Sequence, residues 1–312
     1  MHHLAARGMS GVLVERDHLA AGASGRNAGF LLAGVADSYA EAVRIFGRDR
    51  AREIWSVTNE NHDRQIEAAG EADVGHRRLG SLTLAASDEE ARDLEESCEL
   101  LQEDGFEASW DGRGLLNPRD GEVYPSRLVE ALASGQIVEG VNVAAIEGTT
   151  VHADGASCHA GVVILATNGY TSALVPSIEI QPTRAQMCAT APLPERVCDQ
   201  PTYSHFGYRY WRQVESGEVL VGGWRDTSME TEKTDVAEPT PAIQAHVEHK
   251  ARELAPGVAI THSWAGIMGF TKTGLPLVGP VEGMPGVYVC AGFNGHGMGF
   301  AFMSAKRLVE SL

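Results

Sequence analysis

The residues best suited to chemistry stand in two glycine-spaced loops. Near the start, Ser24, Gly25, Arg26, Asn27, Ala28 and Gly29 follow a run of small residues and lead into an apolar stretch at Phe30. Small residues let backbone N–H groups lie against a phosphate or a flavin, and Arg26 and Asn27 add donors. Near the end, Gly292-Phe293-Asn294-Gly295-His296-Gly297-Met298-Gly299 leads into a final helix expected from about Met298 to the terminus. Glycines at 295, 297 and 299 put unpaired N–H groups and a positive dipole end there, which suits an anionic group such as the N1–C2=O edge of a reduced flavin. Glu15 is the third feature. It closes the apolar run Gly11-Val12-Leu13-Val14, and an acidic residue ending the second strand of a βαβ nucleotide-binding unit accepts hydrogen bonds from adenosine ribose hydroxyls. An acidic residue that merely ends a strand fits Glu15 equally well when it is taken alone.

Those residues need a frame. Residues 2–8 read as the end of a helix closed by Gly8, followed by a buried strand at 11–15. The pattern is helical from Asp37 to about Gly70, a strand is expected at 80–86, and an acidic helix at 88–105 turns Leu94, Leu100 and Leu101 inward. A helix at 122–135 precedes strands at 137–148 and 161–170. The second is nearly all apolar, as in a central parallel strand covered on both faces, and it runs out at Ala166-Thr167-Asn168-Gly169, where an open α/β sheet places ligand-contacting loops. Residues 181–262 alternate instead: strands at 181–193, 208–213 and 218–226 with one helix near 240–254 read as an inserted antiparallel sheet. The α/β style returns with 264–280, a strand at 286–292 and the final helix.

Composition narrows the class. Against 42 Asp+Glu stand 25 Lys+Arg, a net charge of −17, with no basic run, which argues against a nucleic-acid partner. Thirty-five glycines in 312 residues, without a collagen period, call for tight turns and close backbone approach. Cys98, Cys158, Cys188, Cys198 and Cys290 show no CxxC and no metal-ligand spacing, so buried reduced thiols in a cytoplasmic protein are expected. No apolar run reaches the length of a membrane span, and neither a Ser/His/Asp nor a paired-carboxylate constellation stands out.

Segments 12–30, 161–176, 181–187, 207–213 with 219–226, and 264–279 with 292–302 together resemble the D-amino-acid-oxidase-type (DAO) family of FAD-dependent amine oxidoreductases, the group of glycine oxidase, sarcosine oxidase and gamma-glutamylputrescine oxidoreductase. The resemblance covers nearly the whole chain in the family's order. It implies an α/β fold: a Rossmann-like FAD-binding domain at 1–36, 117–183 and 263–312, and a substrate domain with an antiparallel sheet at 37–116 and 184–262. It implies noncovalent FAD, since Met268 stands where some members attach flavin through Cys. It further implies oxidation of a C–N bond of a small amine or amino acid to an imine, by hydride transfer to flavin N5, with oxygen or another acceptor taking the electrons.

By the same resemblance, Glu15 meets the adenosine ribose with Arg16 a further cofactor-binding candidate, Ser24, Gly25, Arg26, Asn27 and Gly29 line pyrophosphate and flavin, and Val143 meets the adenine. Ala166, Thr167 and Asn168 form a third cofactor segment, Gly295, His296, Gly297 and Met298 present backbone N–H groups to the flavin O2 edge, and Gly266, Gly292 and Asn294 are further cofactor-binding candidates. Catalytic candidates are Lys272, His296, Arg26, Tyr210 and Arg225, with Asn27, Tyr208 and Trp211 beside them. Each also has a plain structural use: sheet packing for the aromatics, a solvated loop for Lys272, a cap for His296. The sequence departs from the family in lacking the N-terminal strand and its Gly-x-Gly-x-x-Gly, and in lacking an Arg near Ile267-Met268-Gly269 to clamp a substrate carboxylate. A truncated or degenerate member that keeps the fold without tight FAD binding is the alternative expectation.

Overall fold

A computed structural model describes residues Met1–Leu312. Its largest element is an eight-stranded sheet in the order Ile260–Phe270, Gln181–Thr190, Val219–Gly223, Arg209–Gln213, Thr202–Ser204, Ser81–Leu84, Gly114–Asn117, Ser109–Trp110. All neighbours are antiparallel except Thr202–Ser204 with Ser81–Leu84, which run parallel. The expected antiparallel sheet is therefore mixed, because strands from two distant parts of the chain meet at that pair. Strand alternation sorts the faces. Cys188, Trp211, Val219 and Val221 turn to one side, where Ile243, Val247 and Ala251 of helix Pro241–Leu254 bury them. The opposite face lines a cavity.

The helical segment expected from 37 to 70 is two helices, Tyr39–Phe46 and Arg48–Ala69, separated at Gly47, whose φ of +81° closes the first. With the acidic helix Asp88–Glu103, capped by Ser87, they pack a core of Tyr39, Trp55, Leu94, Leu101 and Phe300. Leu94 and Leu101 face inward as their spacing requires, and the acidic face pairs with Arg44 and Arg48 of the neighbouring helices.

The α/β part is in two pieces. Val12–Val14 pairs in parallel with Gln136–Val138. Val163–Leu165 pairs in parallel with Val287–Ala291, which pairs antiparallel with Leu277–Pro280. No backbone ladder joins the pieces, and Val12–Val14 and Val163–Leu165 both border the cavity. Several expectations are corrected here. The strand expected at 11–15 to be buried leaves Val12 and Val14 53% and 42% exposed, because both point to the face that borders the cavity. The strand expected at 137–148 is two, Gln136–Val138 and Val143–Glu147, the second belonging to a meander with Thr150–Ala153 and Ala156–His159. The apolar run 161–170 is extended only over Val163–Leu165, at the edge of its sheet, although Val163 and Leu165 are buried against Val287 and Val289. The helix expected at 122–135 is confined to Pro125–Leu132. Four cysteines are buried, but Cys158 is exposed on the outer strand of the meander, correcting the expectation for that thiol.

Strands Gln181–Thr190 and Ile260–Phe270 run unbroken through the domain boundaries expected at 183/184 and 262/263, paired along nearly their whole length. No helix is long and apolar enough to cross a membrane.

Candidate active site

A cavity of about 2460 Å³ lies between the eight-stranded sheet, the α/β pieces and the start of the last helix. Its substrate-side wall follows from strand register. Thr83, Tyr203, Tyr210 and Gly222 are successive cross-strand partners, so their side chains share one face. Gly222 is glycine for a visible reason: a Cβ there would sit 2.2 Å from the Tyr210 ring. The Tyr203 and Tyr210 rings meet at 5.9 Å, Phe30 approaches Tyr203 at 5.2 Å, and His296 stacks on Tyr203 at 6.5 Å. Burial pushes the Tyr210 hydroxyl up to about 12 and raises Tyr203 too, with no hydrogen bond contributing to either shift. Both phenols stay protonated and free to donate.

Opposite this wall the loop 292–299 is held by two asparagines. Asn168 Oδ1 accepts from the N–H groups of Gly292 at 3.0 Å and Phe293 at 3.4 Å. Asn294 Oδ1 accepts from Thr271 N–H at 2.8 Å while its amide donates to the Gly292 carbonyl at 2.8 Å. Both adopt positive φ, +43° and +52°, a conformation asparagine tolerates better than most residues. So pinned, the loop leaves the N–H groups of Gly295, Gly297 and Met298 without an acceptor in the protein, at the positive end of helix Gly297–Glu310. His296 Nδ1 is buried without a partner, and burial lowers this imidazole to about 4, so it is neutral at physiological pH. A flat acceptor-edged ring such as a flavin fits these unpaired donors.

The loop at 22–29 is built differently from its expectation. It is a helical turn, Ala23–Arg26, whose Asn27 amide donates to the Ala23 and Ser24 carbonyls at 3.0 and 2.9 Å and whose Oδ1 accepts from Gly29 N–H. Arg26 donates to the Ala265 carbonyl at 3.0 Å, and Trp264 Nε1 returns a bond to the Arg26 carbonyl at 2.9 Å. Of the two side chains expected as free donors, Asn27 is committed within its own turn and Arg26 ties that turn to strand Ile260–Phe270.

Comparison with known proteins places this architecture. The sequence profile of the DAO family, described as FAD dependent oxidoreductase, matches residues 1–311. The chain belongs to the DAO family of FAD-dependent oxidoreductases. It is 26% identical to a probable oxidoreductase OrdL of Rhizobium meliloti (strain 1021), over 99% of this chain and 78% of that protein. It is 25% identical to gamma-glutamylputrescine oxidoreductase of Escherichia coli K12, over 99% and 79%. Among solved structures, glycine oxidase from Geobacillus kaustophilus superposes with a TM-score of 0.80 at 20% identity, covering 99% of this chain and 90% of that one.

Most of the residues that the DAO resemblance nominated come together. Glu15, Arg16, Ser24, Arg26, Asn27, Val143, Ala166, Thr167, Asn168, Gly266, Asn294, Gly295, His296, Gly297 and Met298 border the one cavity, as do Tyr210 and Arg225. Gly25, Gly29 and Gly292 do not border it; Gly29, for example, turns at φ +74° where a Cβ would strike the Val123 carbonyl at 2.2 Å. Trp211 turns into the core under helix Pro241–Leu254. Lys272 is outside altogether, its side chain 81% exposed and ion-paired with Glu179 on the surface. The sequence reading overlooked Asp120 and Tyr203, both of which border the cavity. Asp120 sits in a turn between two short strands, and nothing in its neighbourhood distinguishes it from a solvated loop carboxylate.

Proposed function

We propose that this cavity holds FAD noncovalently and that the protein oxidises a C–N bond of a small amine or amino acid, giving an imine that water hydrolyses. When bound, FAD supplies the two-electron acceptor for that oxidation. The observation that carries the proposal is the set of unpaired N–H groups of Gly295, Gly297 and Met298 beside neutral His296, whose Nδ1 has no partner, facing a wall of tyrosines across the cavity. Preorganised donors of this kind favour a ring edge that gains negative charge. Asn168 and Asn294 keep the donors aimed. Glu15, directly after strand Val12–Val14 at the border of the cavity, is the ribose-binding candidate, and Val143 the adenine neighbour.

Tyr203 and Tyr210 orient substrate through their free hydroxyls and, with Phe30, exclude water from the reacting carbon. Its likeness to gamma-glutamylputrescine oxidoreductase and glycine oxidase supports amine or amino-acid donors. Oxygen or another acceptor completes the cycle, and a cytoplasmic site of action accords with four buried reduced thiols. The residues 1–36, 117–183 and 263–312 then form the cofactor side and the remainder the substrate side.

One observation favours a second reading, a family member that retains the fold without tight FAD binding: the two α/β pieces are not hydrogen-bonded to each other, which leaves one edge of Val12–Val14 unpaired. Titration of the purified protein with FAD, followed by flavin fluorescence, separates the two. Saturable quenching in the micromolar range or below supports the enzyme; no quenching up to about 1 mM supports the second reading.

A further inference from the structure

Two ionisable groups, one acidic and one basic, border the substrate side of the cavity, and neither has an ion-pair partner in the protein. Asp120 is 4% exposed, and its carboxylate accepts from Ser81 Oγ at 2.6 Å and from Ala33 N–H at 3.0 Å. Both donors are uncharged. Ser81 lies two residues from Thr83 on its strand, and Thr83 is the cross-strand partner of Tyr203, so Asp120 stands at the Tyr203 end of the tyrosine row. Arg225 stands at the other end, just beyond strand Val219–Gly223. Its guanidinium lies 4.4 Å from the Tyr208 ring and 5.0 Å from the Phe270 ring, and its only polar contact is Met229 Sδ at 3.9 Å. The neighbouring carboxylate, Asp226, is taken by Arg209 at 3.0 Å. Three strand steps of about 4.8 Å each, roughly 14 Å in all, separate the Ser81 strand from the Val219 strand.

We propose that the cavity recognises a substrate of two opposite charges, with an ammonium group at Asp120 beside the Tyr203 ring and a carboxylate several bonds away at Arg225. The aromatic wall between them suits the chain that joins the charges, and the Tyr203 face adds attraction for a cation. With the two groups at opposite ends of the tyrosine row, a substrate whose charges are several bonds apart suits them better than an α-amino acid. The arrangement also answers the missing Arg at 267–269: the carboxylate is bound from Arg225, on the substrate sheet, and farther from the reacting nitrogen than an α-carboxylate. This inference rests on the amine-oxidoreductase reading and narrows its substrate class.

The test compares four probes, 6-aminohexanoate, hexylamine, hexanoate and glycine, by the shift each gives in thermal unfolding of the purified protein. Dithionite reduction keeps any probe from being consumed, and flavin content is read from the visible spectrum of the same sample before reduction. 6-Aminohexanoate is expected to bind at least about tenfold more tightly than hexylamine or hexanoate, and glycine to gain nothing. Asp120→Asn keeps one acceptor for Ala33 and one donor for Ser81; it should erase the advantage of 6-aminohexanoate over hexanoate and leave hexanoate unchanged. Arg225→Met should erase the advantage over hexylamine and leave hexylamine unchanged. If Asp120 only ties Ala33 to Ser81, its replacement shifts all probes alike, and the inference is overturned; equal binding of all four by the parent protein overturns it as well. A flavin-containing protein that does not discriminate sinks this inference alone. A protein without flavin that does discriminate sinks the enzyme reading instead.

Discussion

At the residue scale, what a side chain can do was decided by where its hydrogen bonds go. Arg26 and Asn27 have the right types for ligand contact, yet both are spent on backbone carbonyls, while Asn168 and Asn294, also plain polar residues in the sequence, fix the donor loop. No residue-type pattern separates those two outcomes, because a backbone acceptor has no sequence signature. Lys272 shows the same limit, since its neighbourhood in sequence places it near the ring but its side chain leaves the cavity. Lys272→Met is therefore expected to leave both flavin reduction by amine and reoxidation by oxygen within about twofold of the parent, by stopped-flow absorbance; a reoxidation slowed tenfold or more would put the lysine back at the site. Asp120 offers a second check. Burial pushes its carboxyl up to about 7 from an ordinary 3.8, opposed by the bonds from Ser81 and Ala33 and by Arg78 and Arg119. With the folded value above the unfolded one, stability is unaffected below about pH 4, falls as pH rises towards 7, and is constant above. Asp120→Asn lacks this loss, so its melting temperature relative to the parent should climb between pH 4 and 7 and then level off. A difference that is flat across that range would show that Asp120 is not the buried acid described.

At the element scale, the segment carrying Arg225 is positioned from beneath. It runs from Arg225–Ser228 into the short helix Met229–Glu232, and Glu232, 1% exposed, pairs with buried Arg184 at 2.8 Å and accepts from the Gln186 amide at 2.9 Å. Both partners belong to strand Gln181–Thr190. Glu232→Ala leaves a buried guanidinium unpaired and should cost about 3–5 kcal/mol in urea unfolding, while Glu232→Gln, which keeps one acceptor oxygen and the side-chain volume but loses the charge and the second acceptor, should cost less. A cost below about 1 kcal/mol for the alanine variant would mean that the pair does not anchor this segment. Elements with their own period were legible: helix Pro241–Leu254, strand Ser81–Leu84 and the acidic helix with its capping Ser87 match the sequence pattern closely. Residues 137–148 and 161–170 were not, because apolar content says nothing about which neighbour supplies the ladder, and here it changes at Gly140 or stops at Leu165.

At the scale of the whole molecule, the resemblance spread over the chain made the fold legible where no single motif did. The sheet that builds the substrate wall joins Ser81–Leu84 to Thr202–Ser204 across more than a hundred residues, and that pairing, invisible to local pattern, is what brings Tyr203 to Asp120. The cavity is the common product of every part: a donor loop on one side, tyrosines on the other, and two α/β pieces at its far end. A flavin bound there is proposed to accept electrons from an amine. The most direct measurement is the visible spectrum of the FAD-saturated protein, recorded anaerobically before and after addition of 6-aminohexanoate or hexylamine. The account predicts a flavin band near 450 nm that bleaches with the amine and returns on admitting air or an artificial electron acceptor. A bound flavin whose band is unchanged by either amine, or a protein that takes up no flavin, would contradict it.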